Sequence, residues 1–459
     1  MNPHEALQNI WATGGLPAEA LSQAELTGAD PVLPSSFAVG TTAQATVAAA
    51  ALAACELGQV RGQPRQNVSV DMQHAALECS GWFSLDGRVP EQWDKFSGLY
   101  RCADGWVRIH ANFAHHREGA LRLLGLAPES AQRADAERAM LGWKALDFEQ
   151  AAADAGLVVA AFRSFDDWDK HPQGQAVAAL PLMRFERIGD APPRQLPALS
   201  ADNRPLTGVR VLDLTRILAG PVCGRALAAY GADVMLVNSP HLPNIASIAD
   251  TSHGKLSAHV DLQVQEGRAA LERLLADAHV FVQGYRPGGL NALGFSPQAI
   301  AERRPGIVCV SLSAYGETGS WRERRGFDSL VQTATGFNHA EGEAAGSPDP
   351  KPLPMQILDY ATGHLMAFAA AVALRRQALE GGSWHVRLSL AQTGHWIRNL
   401  GRVANGFAIK RPDRAPYLET AASGFGELVA VRHSAQLERT PARWARPSMP
   451  PGTHPPIWP

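Results

Sequence analysis

One aspartate in this sequence stands where a carboxylate could act as a nucleophile. Asp359 directly precedes a long apolar segment, residues 360–379, which predicts a helix. A carboxylate at the start of a helix lies at the positive end of the helix dipole, close to free backbone N–H groups, and we expect it to stay ionised at neutral pH. The simpler interpretation is a helix N-cap, which stabilises a helix by about 1 kcal/mol. Position alone favours the cap.

An internal repeat favours the chemical interpretation. Residues 33–57 align with residues 353–377, matching Leu-Pro with Leu-Pro and one Ala-rich helix with the other, and a strand-like segment follows each. Val39 occupies the position of Asp359 in this alignment, with two threonines following it as alternative caps. Because the first copy builds its helix without the carboxylate, we expect Asp359 to have another role.

Other reactive side chains do not suggest a second site. His110, His115 and His116 lie close together in HANFAHHREG, but no carboxylate or thiol completes a metal site, so structural roles are expected. The five cysteines are scattered and odd in number, which favours buried packing over disulfides or zinc. They are Cys55, Cys79, Cys102, Cys223 and Cys309. We therefore expect no metal site.

The elements that would position Asp359 are clearest after residue 205. Short apolar runs alternate there with helical patterns, which predicts an α/β fold with a Rossmann-like parallel sheet and helices on both faces. The expected strands are 209–214, 234–237, 258–262, 279–282 and 307–313, and the expected helices are 221–231, 266–278 and 297–303. In such a sheet a ligand binds beyond the carboxyl ends of the strands. Here those ends lead into residues 215–220 and 284–289.

The segments before residue 205 predict a different arrangement. Residues 93–190 suggest a small α+β domain that begins with a hairpin around an Asp104-Gly105 turn. The expected organisation has six parts. They are an N-terminal arm over 1–32, a partial helix-strand copy over 33–92, the small domain over 93–190, a linker over 191–207, the Rossmann-like domain over 208–400 and an extended Pro-rich tail over 401–459.

Composition excludes several classes of function. The chain has 459 residues, a formal net charge of −2 and 46% hydrophobic residues, so nothing in its overall charge attracts nucleic acid. The apolar runs are interrupted too often to suggest a membrane span. The N-terminus lacks the basic and apolar pattern of a secretory signal, so a cytoplasmic location is expected.

Several motifs, taken in order, resemble one known family. GVRVLDLTRILAGPVCGRALAAYGADVMLV, VFVQGYRPGGLNALGF, RPGIVCVSLSAYGETGSW and LDYATGHLMAF are similar to motifs of the class III CoA-transferases, a group that includes formyl-CoA transferase, carnitine CoA-transferase and α-methylacyl-CoA racemase. The resemblance covers residues 208–395, and residues 61–195 resemble the later half of the family more faintly. This pattern suggests a rearranged tandem fusion. Because the family forms dimers that interlock like ring links, a monomeric pseudo-dimer or a homodimer is implied.

The resemblance also implies roles for individual residues. Asp359 matches the aspartate that attacks the acyl-CoA thioester, after which CoA passes to a small carboxylic acid through a covalent aspartyl intermediate. CoA is then part of the substrate, no permanently bound cofactor is expected, and residues 208–400 are the CoA-binding domain. The positions that match CoA-contacting residues of the family are Arg216, Leu218, Ala219, Tyr285 and Arg286.

Three alternatives remain open at this point. An acyl-CoA racemase or lyase of the same family is one, although Phe327 in GFDSL stands where the racemases carry the histidine that two-base catalysis needs. A non-catalytic CoA-binding homologue is another, because the first copy has lost its aspartate. A dinucleotide-dependent oxidoreductase is disfavoured, because RILAGPVCG is not GxGxxG.

Overall fold

In the computed structural model, which describes residues 1–459, helices and strands alternate along most of the chain. Before residue 190 they are α1 (Pro3–Gly14), β1 (Ala24–Thr27), α2 (Val39–Val60), β2 (Val68–Asp71), α3 (Met72–Glu78), β3 (Phe83–Leu85), β4 (Gly98–Cys102), β5 (Gly105–Ile109), α4 (Ala114–Leu123), α5 (Arg133–Met140), α6 (Ala145–Asp154), β6 (Val159–Ala161), α7 (Phe165–Lys170), α8 (Pro172–Ala178) and β7 (Arg184–Gly189). After residue 190 they are β8 (Arg210–Leu214), α9 (Ala219–Ala229), β9 (Asp233–Asn238), α10 (Ile248–Thr251), β10 (Lys255–His259), α11 (Gln265–Asp277), β11 (Val280–Gln283), α12 (Pro297–Arg303), β12 (Val308–Ser313), α13 (Asp328–Thr335), α14 (Phe337–Ala344), α15 (Ile357–Glu380), β13 (Ser383–Ser389), α16 (Leu390–Asn399), β14 (Leu418–Ser423), β15 (Gly426–Val431) and β16 (Ala435–Leu437).

The main sheet has seven strands in the order β10-β9-β8-β11-β12-β13-β7, all parallel except the edge strand β7. Successive side chains of a strand face opposite sides of the sheet. Val211 and Val280 pack in the core that includes α9 and α15, whereas Leu212 and Phe281 pack in the core that includes α11 and α12. The predicted α/β fold, a parallel sheet with helices on both faces, is confirmed.

One strand of this sheet begins earlier than the sequence suggests. We expect a strand over residues 258–262, but β10 covers Lys255–His259. The Lys255 side chain is fully buried, and its ammonium donates a 2.9 Å hydrogen bond to the Asp213 carboxylate. A buried ion pair thus lies at a position where a lysine looks like the boundary of a strand.

The two Ala-rich helices of the sequence repeat, α2 and α15, pack against each other in the core. The carboxylate of Asp30, in the preceding loop, caps α2 by accepting hydrogen bonds of 3.0 and 2.8 Å from the N–H groups of Gly40 and Thr41. A cap from the threonine side chains is therefore wrong, since Thr42 Oγ1 instead donates to a backbone carbonyl. Helix α15 is long and apolar enough to cross a membrane, but 94% of its most apolar window is buried inside the protein.

Strand exchange joins the two units α2-β2-α3 and α15-β13-α16. Strand β2 lies between β1, which is parallel to it, and β16, which is antiparallel. Strand β13 has the same arrangement, with β12 parallel and β7 antiparallel. Strand β7 follows the first unit along the chain but pairs with β13 of the second unit. Strand β16 follows the second unit but pairs with β2 of the first. Each unit is therefore completed by a strand that comes after the other unit in the sequence.

A three-stranded sheet, β4-β5-β6, organises the small domain. Its hairpin differs slightly from the expected one, because Cys102 pairs with Gly105 and leaves Ala103 and Asp104 as the turn residues. The five cysteines are buried free thiols, as predicted.

The C-terminal part of the chain is more structured than an extended tail. Strands β14 and β15 form a hairpin that extends onto β3, and β16 joins β2. Residues 438–459 contain no helix or strand and lie along the body of the protein. There the indole N–H groups of Trp444 and Trp458 donate to the carbonyl oxygens of Arg225 and Leu274 at 3.0 and 2.9 Å.

Candidate active site

Asp359 is the third residue of α15, and it is not the cap of that helix. The cap is Asp328, whose Oδ2 accepts a 2.9 Å hydrogen bond from the backbone N–H of Asp359. The Asp359 carboxyl group has no hydrogen-bond partner in the protein, and its residue is 8% exposed. The N-cap interpretation of Asp359 is therefore wrong, and its side chain is available for another role.

The carboxyl group of Asp359 borders a cavity of about 380 Å³, here called the aspartate cavity. Its walls come from distant parts of the chain. Trp82 lies just after α3, Arg108 lies on β5 of the small domain with His110 directly after that strand, and Leu218 directly precedes α9. The site is thus assembled between the small domain and the main sheet.

Burial and charge both act on the nucleophile candidate. Removal from water raises the pKa of Asp359, and the neighbouring Asp328 carboxyl raises it further. Burial also raises the pKa of Asp328, to about 7, against the hydrogen bonds that it accepts. The low pKa expected for a carboxylate at a helix start is therefore not found, because burial and the second carboxyl both raise the pKa of Asp359.

A second cavity, of about 420 Å³ and here called the basic cavity, lies beyond the carboxyl ends of β8, β11 and β12. It is rich in guanidinium groups, and its arginines are Arg216, Arg286, Arg324 and Arg325. Ile217 and Phe327 line both the basic and the aspartate cavities, so the two meet there. A smaller, mostly apolar cavity shares Leu242, Tyr285 and Arg286 with the basic cavity on its other side. Together they form a groove that ends at Asp359.

Four of the five residues predicted to contact CoA line this groove. Arg216 and Tyr285 are partly buried in the basic cavity, where burial lowers the pKa of Arg216 and raises that of Tyr285. Arg286 is exposed at its rim, and Leu218 lines the aspartate cavity. Ala219 lines neither cavity.

Ala219 instead belongs to a close helix contact. A Cβ atom added to Gly363 of α15 would lie 2.5 Å from the Ala219 carbonyl oxygen, so only glycine permits this approach of α9 and α15. The contact fixes the start of α9 against the helix that carries Asp359. Ala219 thus supports the site from behind, and the structure does not bring its side chain to the groove.

Ile217, at the junction of the two cavities, has a strained backbone. Its φ angle is +78°, in the left-handed region that β-branched residues rarely adopt. Such strain costs about 1–3 kcal/mol and clusters at functional sites. Sequence reasoning missed Ile217, because nothing in the residue type indicates a positive φ angle.

The three histidines of HANFAHHREG lie along the groove. The His110 ring stacks on Phe327 with centroids 4.0 Å apart, and His116 Nε2 lies 3.2 Å from an Arg325 nitrogen. Burial lowers the pKa of His110 and of His116 to about 3, so both are neutral near pH 7. No group of three or more His, Cys, Asp or Glu side chains is placed to hold a metal ion.

Sequence reasoning also missed Asp328 and Arg108. Asp328 was visible in GFDSL but carried no signal of a long-range cap. Arg108 and His110 did carry a signal of a functional surface, since residues two apart on a strand face the same side. Two polar side chains on one face of a predicted strand indicate a face that does not pack into a core.

Comparison with known proteins shows similarity to one family. A family model described as CoA-transferase family III matches residues 206–415. An acyl-CoA transferase of Gibberella moniliformis is 29% identical over 377 residues, which is 73% of this chain and 66% of that protein. The succinate–glutarate CoA-transferase of Agrobacterium fabrum is 29% identical over 263 residues, which is 51% of this chain and 65% of that protein.

Solved structures match this chain with a similar sequence identity and coverage. The crystal structure of a CAIB/BAIF family protein from Brucella suis is 29% identical, has a TM-score of 0.39 and covers 49% of this chain and 65% of that one. The chain thus spans less than two thirds of the length of each of these relatives.

Proposed function

We propose that the chain is a class III CoA-transferase, the family whose model matches residues 206–415, and that it transfers CoA between an acyl-CoA thioester and a carboxylic acid through a covalent intermediate on Asp359. One observation carries the proposal: the Asp359 carboxyl has no hydrogen-bond partner and borders a cavity that joins an arginine-rich groove. A nucleophile has to be both unoccupied and accessible, and this carboxyl is both.

The groove matches CoA in the order of its chemical parts. CoA carries an adenosine, then phosphates, then a long uncharged arm that ends in the thiol. The apolar cavity beside Tyr285 suits the adenine ring, and the guanidinium groups of Arg216 and Arg286 suit the phosphates. The arm would then pass Ile217 and Phe327, where the two cavities meet, and deliver the thioester to Asp359.

The proposed exchange consists of four acyl transfers. An Asp359 oxygen attacks the thioester carbonyl, forming an acyl-aspartyl anhydride and releasing the CoA thiolate. The thiolate attacks the aspartyl carbonyl, forming an aspartyl-CoA thioester and releasing the first carboxylate. An acceptor carboxylate attacks this thioester to form a second anhydride, again releasing thiolate. The thiolate then attacks the new acyl carbonyl, which yields the new acyl-CoA and free Asp359. Nothing is oxidised or reduced, and no net proton is consumed.

The raised pKa of Asp359 has a chemical consequence under this proposal. A carboxylate with a high pKa is a stronger nucleophile than one in water, but less of it is ionised at a given pH. Asp328 contributes to both effects because its charge opposes ionisation of Asp359. The pair would thus set the pH at which exchange becomes fast.

The racemase alternative needs a second base in the cavity. His110 brings an imidazole next to Phe327, the position where that branch has its histidine. However, burial lowers the pKa of His110 to about 3, which makes it a weak proton acceptor. We therefore keep CoA transfer as the proposed reaction.

We further propose that one chain forms a complete pseudo-dimer. Strands β7 and β16 complete each unit from within the chain. A second copy is not needed to supply either edge strand, so a monomer suffices for the site.

The test is isotope exchange between an acyl-CoA and its own labelled free acid, run over a panel of acyl chains. This reaction needs no knowledge of the natural acceptor. We expect exchange in the wild type, none in Asp359→Ala, and wild-type rates in Asp349→Asn, which changes an exposed aspartate in the loop before α15. Equal exchange in Asp359→Ala would disprove the covalent role. No CoA binding and no exchange by the wild type would disprove the function.

A further inference from the structure

Arg108 is the one buried guanidinium of this protein that has no partner. Four arginines are less than 9% exposed, namely Arg61, Arg108, Arg163 and Arg225. Arg61 donates to three backbone carbonyls, Arg163 pairs with a carboxylate at 2.5 Å, and Arg225 pairs with two carboxylates. Arg108 makes no side-chain hydrogen bond and no salt bridge, and its Nε is fully buried. A buried cation without an anion is costly, so an unpaired guanidinium at this position points to an anionic ligand.

The Arg108 side chain is held in place although it is unpaired. It projects from β5 into the aspartate cavity, on the same side of the strand as His110. Its guanidinium carbon lies 5.3 Å from the ring centroid of Trp93, which is a cation–π distance. Burial lowers the pKa of Arg108 only to about 10, so it stays charged at neutral pH.

No carboxylate forms a salt bridge with Arg108, although the Asp328 carboxyl raises the pKa of Arg108 against the effect of burial. Asp359 is the single acidic residue that lines the cavity, and no salt bridge joins it to Arg108. Asp328 lies behind the wall, where its two oxygens accept hydrogen bonds from the Asp359 N–H and the Gln332 amide. Two other arginines line the cavity, but Arg411 donates to the Pro354 carbonyl and the Arg414 guanidinium lies over the Trp82 ring, so Arg108 is the buried guanidinium left without a partner.

Two more polar atoms of the cavity lack partners. They are Nδ1 of His110 and Oγ of Ser329, and both are buried. Apolar side chains, including Ile217 and Phe327, line the cavity between its polar groups. This combination suits a short carbon chain with a second carboxylate at its far end.

We propose that the aspartate cavity takes dicarboxylic acyl groups, with the thioester carbon at Asp359 and the distal carboxylate on Arg108. This inference rests on the proposed CoA transfer and names its substrate class. A forked guanidinium can hold a carboxylate by two parallel hydrogen bonds, whereas a monocarboxylic chain would leave Arg108 unpaired.

The kinetic test compares two donors of equal chain length. Succinyl-CoA and butyryl-CoA both carry four acyl carbons, and each is assayed by exchange with its own labelled acid. We expect the wild type to prefer the succinyl pair. In Arg108→Gln we expect kcat/KM for this pair to fall about 100-fold, mainly through KM, and the butyryl rate to change less than about threefold. Arg108→Lys should recover part of the succinyl rate.

Arg101→Gln is the matched control, since Arg101 lies exposed on the adjacent strand β4. It should leave both donors at wild-type rates. A wild-type preference for butyryl-CoA, or an equal loss of both donors in a folded Arg108→Gln variant, would overturn the assignment.

A binding test does not depend on turnover or on a folded variant. Phenylglyoxal modifies accessible guanidinium groups, and mass spectrometry measures modification at Arg108 in the wild type. We expect succinate to protect Arg108 and butyrate at the same concentration not to protect it. Equal protection, or none, would overturn the proposal. Protection by succinate without any CoA exchange would support the anion site while disproving the transferase function.

Discussion

The Asp328 carboxylate accepts a 2.9 Å hydrogen bond from the backbone N–H of Asp359, and it thereby caps the helix that presents the Asp359 side chain. One aspartate has the structural role that the sequence suggests for the other. The arrangement leaves the Asp359 carboxyl without a partner and places a second carboxyl close enough to raise its pKa. Helix capping and control of the nucleophile are thus linked through one side chain.

The first prediction concerns the pH dependence of exchange. Attack requires ionised Asp359, and burial together with Asp328 raises the pKa of that carboxyl, while the pKa of Asp328 is about 7. The rate should therefore increase as the pH rises through the neutral range. In Asp328→Asn the rise should move to lower pH, because the neighbouring negative charge is gone while an oxygen remains to accept the backbone hydrogen bond. Rate profiles that coincide would contradict the coupling.

The same pair predicts how stability changes with pH. Both carboxyls have folded-state pKa values above those of the unfolded chain, so between about pH 4 and pH 7 the folded state binds more protons and loses stability as the pH rises. Asp328→Asn removes one of these groups. The free energy of unfolding of the variant minus that of the wild type should therefore increase by an amount on the order of 1 kcal/mol as the pH rises across this range. Denaturant titrations at several pH values measure the difference, and a constant or falling difference would contradict it.

A third prediction tests the strain at Ile217. Glycine adopts a φ of +78° without penalty, whereas alanine does not. In denaturant titrations, the free energy of unfolding of Ile217→Gly should therefore exceed that of Ile217→Ala by about 1 kcal/mol. Leu242, in a loop without a positive φ angle, provides the control, since there the alanine variant should be at least as stable as the glycine variant. If alanine is also better at position 217, the strain is absent.

A fourth prediction concerns the ion pair beneath the groove. Lys255 donates to the Asp213 carboxylate at 2.9 Å and to the Pro221 carbonyl at 2.8 Å, with both charged side chains fully buried. Lys255→Met should cost about 3–5 kcal/mol of unfolding free energy, because it leaves a buried charge unpaired. Adding Asp213→Asn should restore much of this loss. Denaturant unfolding measures both values, and a cost below about 1 kcal/mol for the single variant would contradict the ion pair.

The sequence predicted the main sheet well because its strands and helices follow strong local patterns. Helix α12 has the predicted bounds, residues 297–303, and most strands agree within a residue or two. Local patterns fail to predict a strand where a partner far away in the sequence determines its bounds or its pairing. Lys255 can lie within a strand because its ammonium pairs with the Asp213 carboxylate. The hairpin of β14 and β15 pairs with β3, which lies more than 300 residues earlier in the sequence.

The candidate site shows the same division. Asp359 was found because its position at a helix start and the valine in the first copy are both visible in the sequence. Asp328 and Arg108 were missed, because a cap from 31 residues away and an unpaired cation depend on how the small domain meets the main sheet. Ala219 was assigned from resemblance alone, and it lies behind the groove rather than in it.

The most direct measurement is to trap the intermediate on Asp359. Wild-type protein is incubated with succinyl-CoA without an added acceptor acid, quenched with hydroxylamine and digested for peptide mass spectrometry. Attack of hydroxylamine on an aspartyl anhydride or aspartyl thioester converts that side chain to a hydroxamate. The account predicts a hydroxamate at residue 359, which is absent when succinyl-CoA is replaced by free succinate. Exchange activity accompanied by a hydroxamate at another residue, or by none, would contradict it.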